Sequence, residues 1–339
     1  MNRFEWHVPQ TVAEAANAIT TTTANAMSGR SDDASILKAG GIDLLDLLKK
    51  NLLAPRRIVN LRDIPGLDTI IEDDKGGLRI GALATLAAVA RHPLLRRRYA
   101  ALTEAVESSG SPQLRNIATL GGNILQRPHC WYFRSTDFPC RRKGGVHCYA
   151  LLGENQYHAI FDNDICAIVH PSTAATALVA LGASVELSCA QGPVRRVALE
   201  EFFVRPEQAV TRENDLRPNE VLTAICLPPL PVTAHSVHLK QGEKNAFDWP
   251  LVDVAVVLDL APDGICRKAA IVLGAVAPTP YRARIAEALL IGHPIDSAAT
   301  AAASRAALDG ATPLAKNVYK LPILAALVHR AITKAVACR

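Results

Sequence analysis

"LKAGGIDLLDLLKK", residues 37–50, decides how this chain is read. A short apolar strand, SILK, runs into a glycine pair, and IDLLDLLKK then spaces its leucines as a helix does. Glycine lacks a Cβ, so the backbone turns tightly there and successive N–H groups point inward. The helix behind them adds the positive end of its dipole. Such a nest suits a diphosphate, while a glycine pair taken alone reads as a tight turn. The spacing is neither GxGxxG nor a Walker P-loop, so neither standard nucleotide motif applies. A second junction, "RNIATLGGNI" at 115–124, shares the design: an apolar strand, paired glycines, further apolar chain.

The rest of the composition bounds what these loops serve. At 339 residues the chain exceeds one small core, and two or three domains are expected. A hydrophobic share of 49% leaves ample apolar area to bury. The net charge of +5 is too mild for a nucleic-acid binder, and Arg96-Arg97-Arg98 reads as a solvated helix end. Arg3, Glu5 and His7 interrupt the apolar core that a secretory signal needs, so no signal peptide is expected. No apolar run reaches the roughly 18 residues of a membrane span. The chain's own address is cytoplasmic, where structural disulfides are disfavoured and reactive or metal-bound thiols favoured.

The pattern to residue 55 reads strand, helix, loop, strand, helix, with TTTANAMSGRSDDAS as a break. A strand follows at GLRIGALA, a helix at TLAAVARHPLLRRRYAAL, another from Thr103 to Ser109, then TLGGNIL as a short strand meeting its glycines. Residues 126–170 lose periodicity. Helix and strand resume at PSTAATALVALGASVEL, followed by the strand VLTAICLP. From about residue 235 come SVHLKQ, LVDVAVVLDLA and AAIVLGAVA as strands, and helices around Arg282–Ile291, Ser297–Leu308 and Lys320–Val336. Elements grouped in this way favour an α+β class over a doubly wound sheet.

Seven stretches in order, "LKAGGIDLLDLLKK", "RIVNLRDIPGL", "LRIGALATLAAVA", "RNIATLGGNI", "LVALGASVEL", "GAVAPTPYRAR" and "NVYKLPILAALVHRA", resemble the FAD-binding subunit of the xanthine dehydrogenase/aldehyde oxidase family. These are the molybdenum hydroxylases, and the resemblance covers nearly the whole chain. The branch it resembles most is the flavoprotein subunits of bacterial periplasmic aldehyde oxidoreductases. The resemblance implies an FAD-binding domain at 1–230 in two subdomains, about 1–55 and 56–230, and a small C-terminal α+β domain at 235–339. It implies that Ile36, Leu37, Lys38, Ala39, Gly40, Gly41, Ile42, Asp43 and Leu44 hold the FAD diphosphate. Ala118, Thr119, Gly122, Asn123 and Leu125 would form a second cradle, Leu222 would pack on the flavin, and Lys240 would lie near the isoalloxazine edge. The family usually has an acidic residue early in the helix before ALVALGA. Here Ser172 and Thr173 stand there, so any cofactor contact passes through a hydroxyl. Asp248-Trp249 falls at a family position near the flavin, either shaping access or as a buried tryptophan beside a turn aspartate.

In this family LGGN is commonly followed almost directly by the next helix, whereas here residues 126–170 intervene. They hold Cys130, Cys140, Cys148 and Cys166, four of the eight cysteines, separated by nine, seven and seventeen residues. Zinc sites prefer short C-x₂₋₄-C knuckles, so zinc fits poorly. Four thiolates on one loop suit a [4Fe–4S] cluster. Spacing alone leaves that reading beside a loop of free, partly buried thiols. The resemblance tilts towards the cluster, because some family members carry one in an insertion at this point. Arg134, Arg141, Arg142 and Lys143 would offset its negative charge, and His129 and His147 are rival ligands. Cys189, Cys226 and Cys266 lie in or beside strand patterns and read as buried, inert thiols.

No HExxH, GxSxG or useful acid pair occurs, so hydrolase chemistry has little support and no catalytic residue is assigned. The expectation is an FAD and [4Fe–4S] electron-transfer subunit of a heterotrimeric molybdenum-containing aldehyde oxidoreductase. Its partners would be a large molybdenum-cofactor subunit, a small [2Fe–2S] subunit and an external electron acceptor. By resemblance the chain would reach the periplasm with a signal-bearing partner. The alternative is a stand-alone FAD-dependent oxidoreductase of the same fold.

Overall fold

The computed structural model describes residues 2–29, 32–244 and 247–338. The fold is α+β, built on three sheets. The first is parallel, from β1 (Glu5–His7), β2 (Ser35–Lys38) and β3 (Arg57–Asn60), in the order β1-β3-β2. Parallel neighbours need crossovers, and helices Val12–Ala18, Thr23–Ser28 and Ile42–Lys49 supply them. The stretch expected as a break contains the second of these helices, because the Thr22 side chain accepts from Asn25 N and caps it. Leu44, Leu47 and Leu48 turn one face of Ile42–Lys49 onto Ile36, Ile58 and Phe133, so the helix after the glycine pair is anchored from below.

The second sheet is antiparallel: β4 (Ile70–Glu72), β5 (Leu78–Gly81), β6 (Ser184–Ser188), β7 (Arg195–Ala198) and β8 (Val221–Leu227), in the order β4-β5-β8-β6-β7. Between β5 and β6 the chain leaves the sheet. The stretch expected as one helix, with another from Thr103, is three: Leu86–Arg91, Pro93–Arg98 and Ala100–Glu107. Pro93 holds His92 extended, at ψ 122°, which stops the first helix. Tyr99 leaves the helical region at the second break and is fully buried, its hydroxyl donating to Pro228 O at 2.8 Å. The stretch read as a strand at TLGGNIL is a short helix, Leu120–Ile124. Thr119 Oγ1 accepts from Gly122 N at 3.1 Å, and that cap outweighs the low helix propensity of two glycines.

The third sheet, β9 (Ala234–Gln241), β10 (Val252–Leu260), β11 (Cys266–Gly274) and β12 (Tyr281–Arg282), is antiparallel in the order β12-β11-β10-β9. Every residue of β10 is buried because its two faces feed two cores. Val254, Val256 and Leu258 pack with the C-terminal helices Arg284–Leu290, Ser297–Ala306 and Lys320–Ala337. Ala255 and Val257 join the core of the helix Thr173–Ala180 and the second sheet. Burial on both faces is what turns a strand into a near-continuous apolar run. Among the described residues no helix is long and apolar enough to cross a membrane.

The aperiodic segment has little regular structure, yet it is fastened at both ends. Phe133 and Cys140 sit in the core under the helix Ile42–Lys49. Ile160 and Phe161 sit in the core of the third sheet, and both donate their amides to Val276 O. Lys320 completes the attachment. It is fully buried and donates to Tyr157 O, His158 O and Ala275 O at 3.1, 3.0 and 2.9 Å. Burial pulls its ammonium down to about 7. Between that value and an unfolded value of about 10.4, the unfolded chain binds a proton that the folded chain releases. Stability conferred through this group therefore rises with pH over that window. Replacing Lys320 with Met should flatten the rise, by up to about 1.4 kcal/mol per pH unit. Denaturant unfolding at stepped pH measures it, and equal slopes in both proteins contradict the assignment.

Candidate functional site

The site begins where β2 ends. The chain turns through Ala39, Gly40 and Gly41 into the helix Ile42–Lys49, with Gly41 at φ +86°, a conformation that favours glycine. A Cβ on Gly40 would run into the Ile117 carbonyl, so the two glycine loops touch only because this residue is bare. The amides of Gly40, Gly41, Ile42, Asp43 and Leu44 have no acceptor among the described residues. They form a ring of donors at a positive helix end, facing a cavity of about 210 Å³.

Of the residues expected to hold the cofactor, all line this cavity except Ile36, Ser172, Thr173 and Lys240. Ile36 is fully buried in the core beneath the loop. Ser172 Oγ donates to Asn123 Oδ1 at 2.6 Å while capping the helix Thr173–Ala180, so it acts through a lining residue. Thr173 Oγ1 lies 2.5 Å from Ser109 Oγ, and Lys240 Nζ donates to the carbonyls of Ser108 and Asp248 at 2.7 Å each. These groups continue the polar wall away from Asn123. Trp249 is half exposed rather than buried, and lies tilted against His129 with ring centroids 4.1 Å apart.

The two glycine loops are not the same device. Leu120, Gly121, Gly122 and Asn123 spend their amides on Ala84 O, Ala82 O, Thr119 Oγ1 and Thr119 O. The second pair is bare for close packing, since a Cβ on Gly121 would lie 2.8 Å from Ala82 Cβ. Sequence reasoning also missed Arg127 and Glu213, which line the same cavity. Arg127 follows LGGN closely enough to be suspected, whereas nothing local marks Glu213.

Cys130, Cys140, Cys148 and Cys166 line a second, small cavity together with Tyr132, Phe133, Arg142 and Tyr149. All four are free thiols. A hydrogen bond from Cys148, helped by Arg142, holds Cys166 down to about 5 against the effect of burial. Burial pushes Cys130 up to about 12. Among the described residues no three His, Cys, Asp or Glu groups converge closely enough for a single metal ion. Four thiols on one cavity are the donor number that a cysteine-bound cluster would need. His129 and His147, the rival ligands, do not line this cavity. His158 does not line it either, but its Nε2 lies 3.2 Å from Cys130 Sγ; burial lowers it to about 4 and keeps it neutral.

Of the four basic neighbours, only Arg142 bonds a cysteine sulfur through its side chain among the described residues, its Nε donating to Cys166 Sγ at 3.4 Å. Arg134 instead pairs with Asp43 and Asp46, Arg141 donates to Val146 O and Ile165 O, and Lys143 to Ser135 O. Arg142 is 1% exposed and meets Glu213 at 2.6 Å, and Glu213 meets Arg127 at 2.9 Å. One carboxylate thus joins the two cavities. Elsewhere Cys226 and Cys266 are buried as expected, while Cys189 is partly exposed.

Residues 2–230 match the family described as FAD binding domain in molybdopterin dehydrogenase, and residues 237–335 the CO dehydrogenase flavoprotein C-terminal domain. The chain belongs to this flavoprotein family. It is 38% identical to the aldehyde oxidoreductase FAD-binding subunit PaoB of Escherichia coli (strain K12), over 84% of this chain and 86% of that one. The carbon monoxide dehydrogenase medium chain of Afipia carboxidovorans is 27% identical over 98% of this chain and 96% of its own. A solved carbon monoxide dehydrogenase from Hydrogenophaga pseudoflava aligns with a TM-score of 0.73 at 26% identity, over 99% of this chain and 98% of that one. This flavoprotein is an FAD-binding oxidoreductase subunit of the molybdenum hydroxylase family.

The first cavity fits such a cofactor. It offers a positive helix end, amides, and the buried Nε and Nη2 of Arg127, these donors having no partner among the described residues. Replacing Gly40 with Val should separate the two loops at an overpacking cost of about 1–3 kcal/mol, weakening FAD about tenfold or more. The flavin-to-protein ratio by absorbance measures it, with circular dichroism as the check on folding. Wild-type flavin content in this variant would show that the loop contact does not support the cofactor.

Proposed function

We propose that this chain is the FAD- and [4Fe–4S]-bearing electron-transfer subunit of a heterotrimeric, molybdenum-containing aldehyde oxidoreductase. The observation that carries the reading is the meeting of four cysteines from one aperiodic segment on one cavity, joined through Glu213 to the cavity of the glycine loop. The aldehyde assignment rests on the PaoB relative, named an aldehyde oxidoreductase FAD-binding subunit. The partner assignment rests on relatives named as medium chains, which implies larger and smaller companions. Here those would be a molybdenum-cofactor subunit that oxidises substrate and a [2Fe–2S] subunit that delivers the electrons.

FAD, when bound, accepts two electrons and releases them singly or in pairs to an external acceptor. A [4Fe–4S] centre held by the four cysteines would supply one-electron storage. The protein's own groups do the positioning. The amides from Gly40 to Leu44 and the free edge of Arg127 would hold the diphosphate, and Leu222 would give an apolar wall. Lys240 is locked by the carbonyls of Ser108 and Asp248, where its charge would favour the anionic reduced flavin. Cys130, Cys140, Cys148 and Cys166 are the four cluster ligands in this reading.

Replacing Cys140 or Cys148 with Ala should remove the iron assigned to this chain and leave most FAD bound. Iron and flavin analysis of the purified complex measures both, and wild-type iron content in the variants would refute the cluster. Affinity-tagged chain should co-elute with a large molybdenum-containing and a small iron–sulfur protein. Full turnover by the isolated chain would favour a stand-alone flavoenzyme instead.

A further inference from the structure

We propose that Arg142 and His158 are positioning residues that raise the reduction potential of the cluster, each by donating a hydrogen bond to a different cysteine sulfur. The inference rests on the cluster reading given above. Arg142 Nε donates to Cys166 Sγ at 3.4 Å, and its Nη1 is held by Glu213 Oε1 at 2.6 Å. The guanidinium is therefore fixed in plane, one edge on the carboxylate and the other on the sulfur. A rigid planar fork satisfies both from fixed positions.

His158 sits against a different cysteine. Its Nε2 lies 3.2 Å from Cys130 Sγ, while its Nδ1 is buried without a partner among the described residues. A thiolate only accepts, so the tautomer that makes this contact carries its proton on Nε2. The backbone around the ring is pinned, since His158 O accepts from both Lys320 Nζ and Asn317 Nδ2. The imidazole is thus held against the sulfur from behind.

Reducing a cluster adds negative charge that spreads onto its thiolates. Donors already aimed at those sulfurs stabilise the reduced state more than the oxidised one, and the potential rises. Because Glu213 binds Arg127 at the wall of the flavin cavity, the Arg142 contact also ties this tuning to the flavin site.

The test is an EPR-monitored redox titration of the purified complex, with iron and flavin content as loading controls. His158→Leu and Arg142→Met should each keep iron and FAD while shifting the cluster midpoint to more negative potential. His158→Gln, which restores an N–H donor, should recover part of the shift. Unchanged midpoints at wild-type iron content would overturn the proposal. Loss of iron in Arg142→Met alone would overturn its tuning role and make it an assembly residue, leaving His158 judged by its own pair of variants. Absence of cluster iron from the wild-type chain is a different result, because it removes the cluster reading itself.

Discussion

One carboxylate holds two buried guanidiniums. Glu213, 3% exposed, lies between Arg127 and Arg142, which are as deeply buried. Two such cations so close together would be untenable without it, and deleting one partner of a buried pair typically costs about 3–5 kcal/mol. The segment carrying the cysteines must therefore fold back onto the segment carrying Glu213. That single requirement brings the second cavity up to the first.

The rest of the arrangement follows from how the insertion is tied down. Its first half is pinned by Phe133 beneath the helix that starts at the glycine pair, and Arg134 bonds Asp43 and Asp46 on that same helix. Its second half is pinned to the third sheet by Ile160 and Phe161, and to the last helix by Lys320. A long stretch without regular structure is ordinarily loose. This one meets its backbone demands through buried side chains, such as Asn155 and Asn317, rather than through helices or strands. The cysteines are consequently presented by a loop fastened to both neighbouring cores.

Local patterns revealed some of this and not the rest. The leucines of Ile42–Lys49 declared their buried face, and the apolar run of β10 was legible as a strand. Pro93 held the information that the long helical pattern breaks, through the extended His92 before it. At LGGN the glycines suggested strand and turn, but the threonine cap decided for a helix. Most residues named through the resemblance line one cavity, whereas Ile36, Ser172, Thr173 and Lys240 do not. What no spacing could show was the pairing of Arg142 with Glu213, 71 residues apart, or of His158 with Cys130. Such contacts come from three-dimensional packing between segments that look unremarkable alone.

The central claim is that one polypeptide carries a flavin and a cysteine-bound cluster joined through Glu213. Mössbauer spectroscopy of the iron-57-labelled chain, isolated from its companions with its flavin quantified, tests it most directly. The account predicts a cubane signal at about four irons for each FAD. Flavin without that signal, in a chain whose four thiols all react with a thiol reagent, would contradict it.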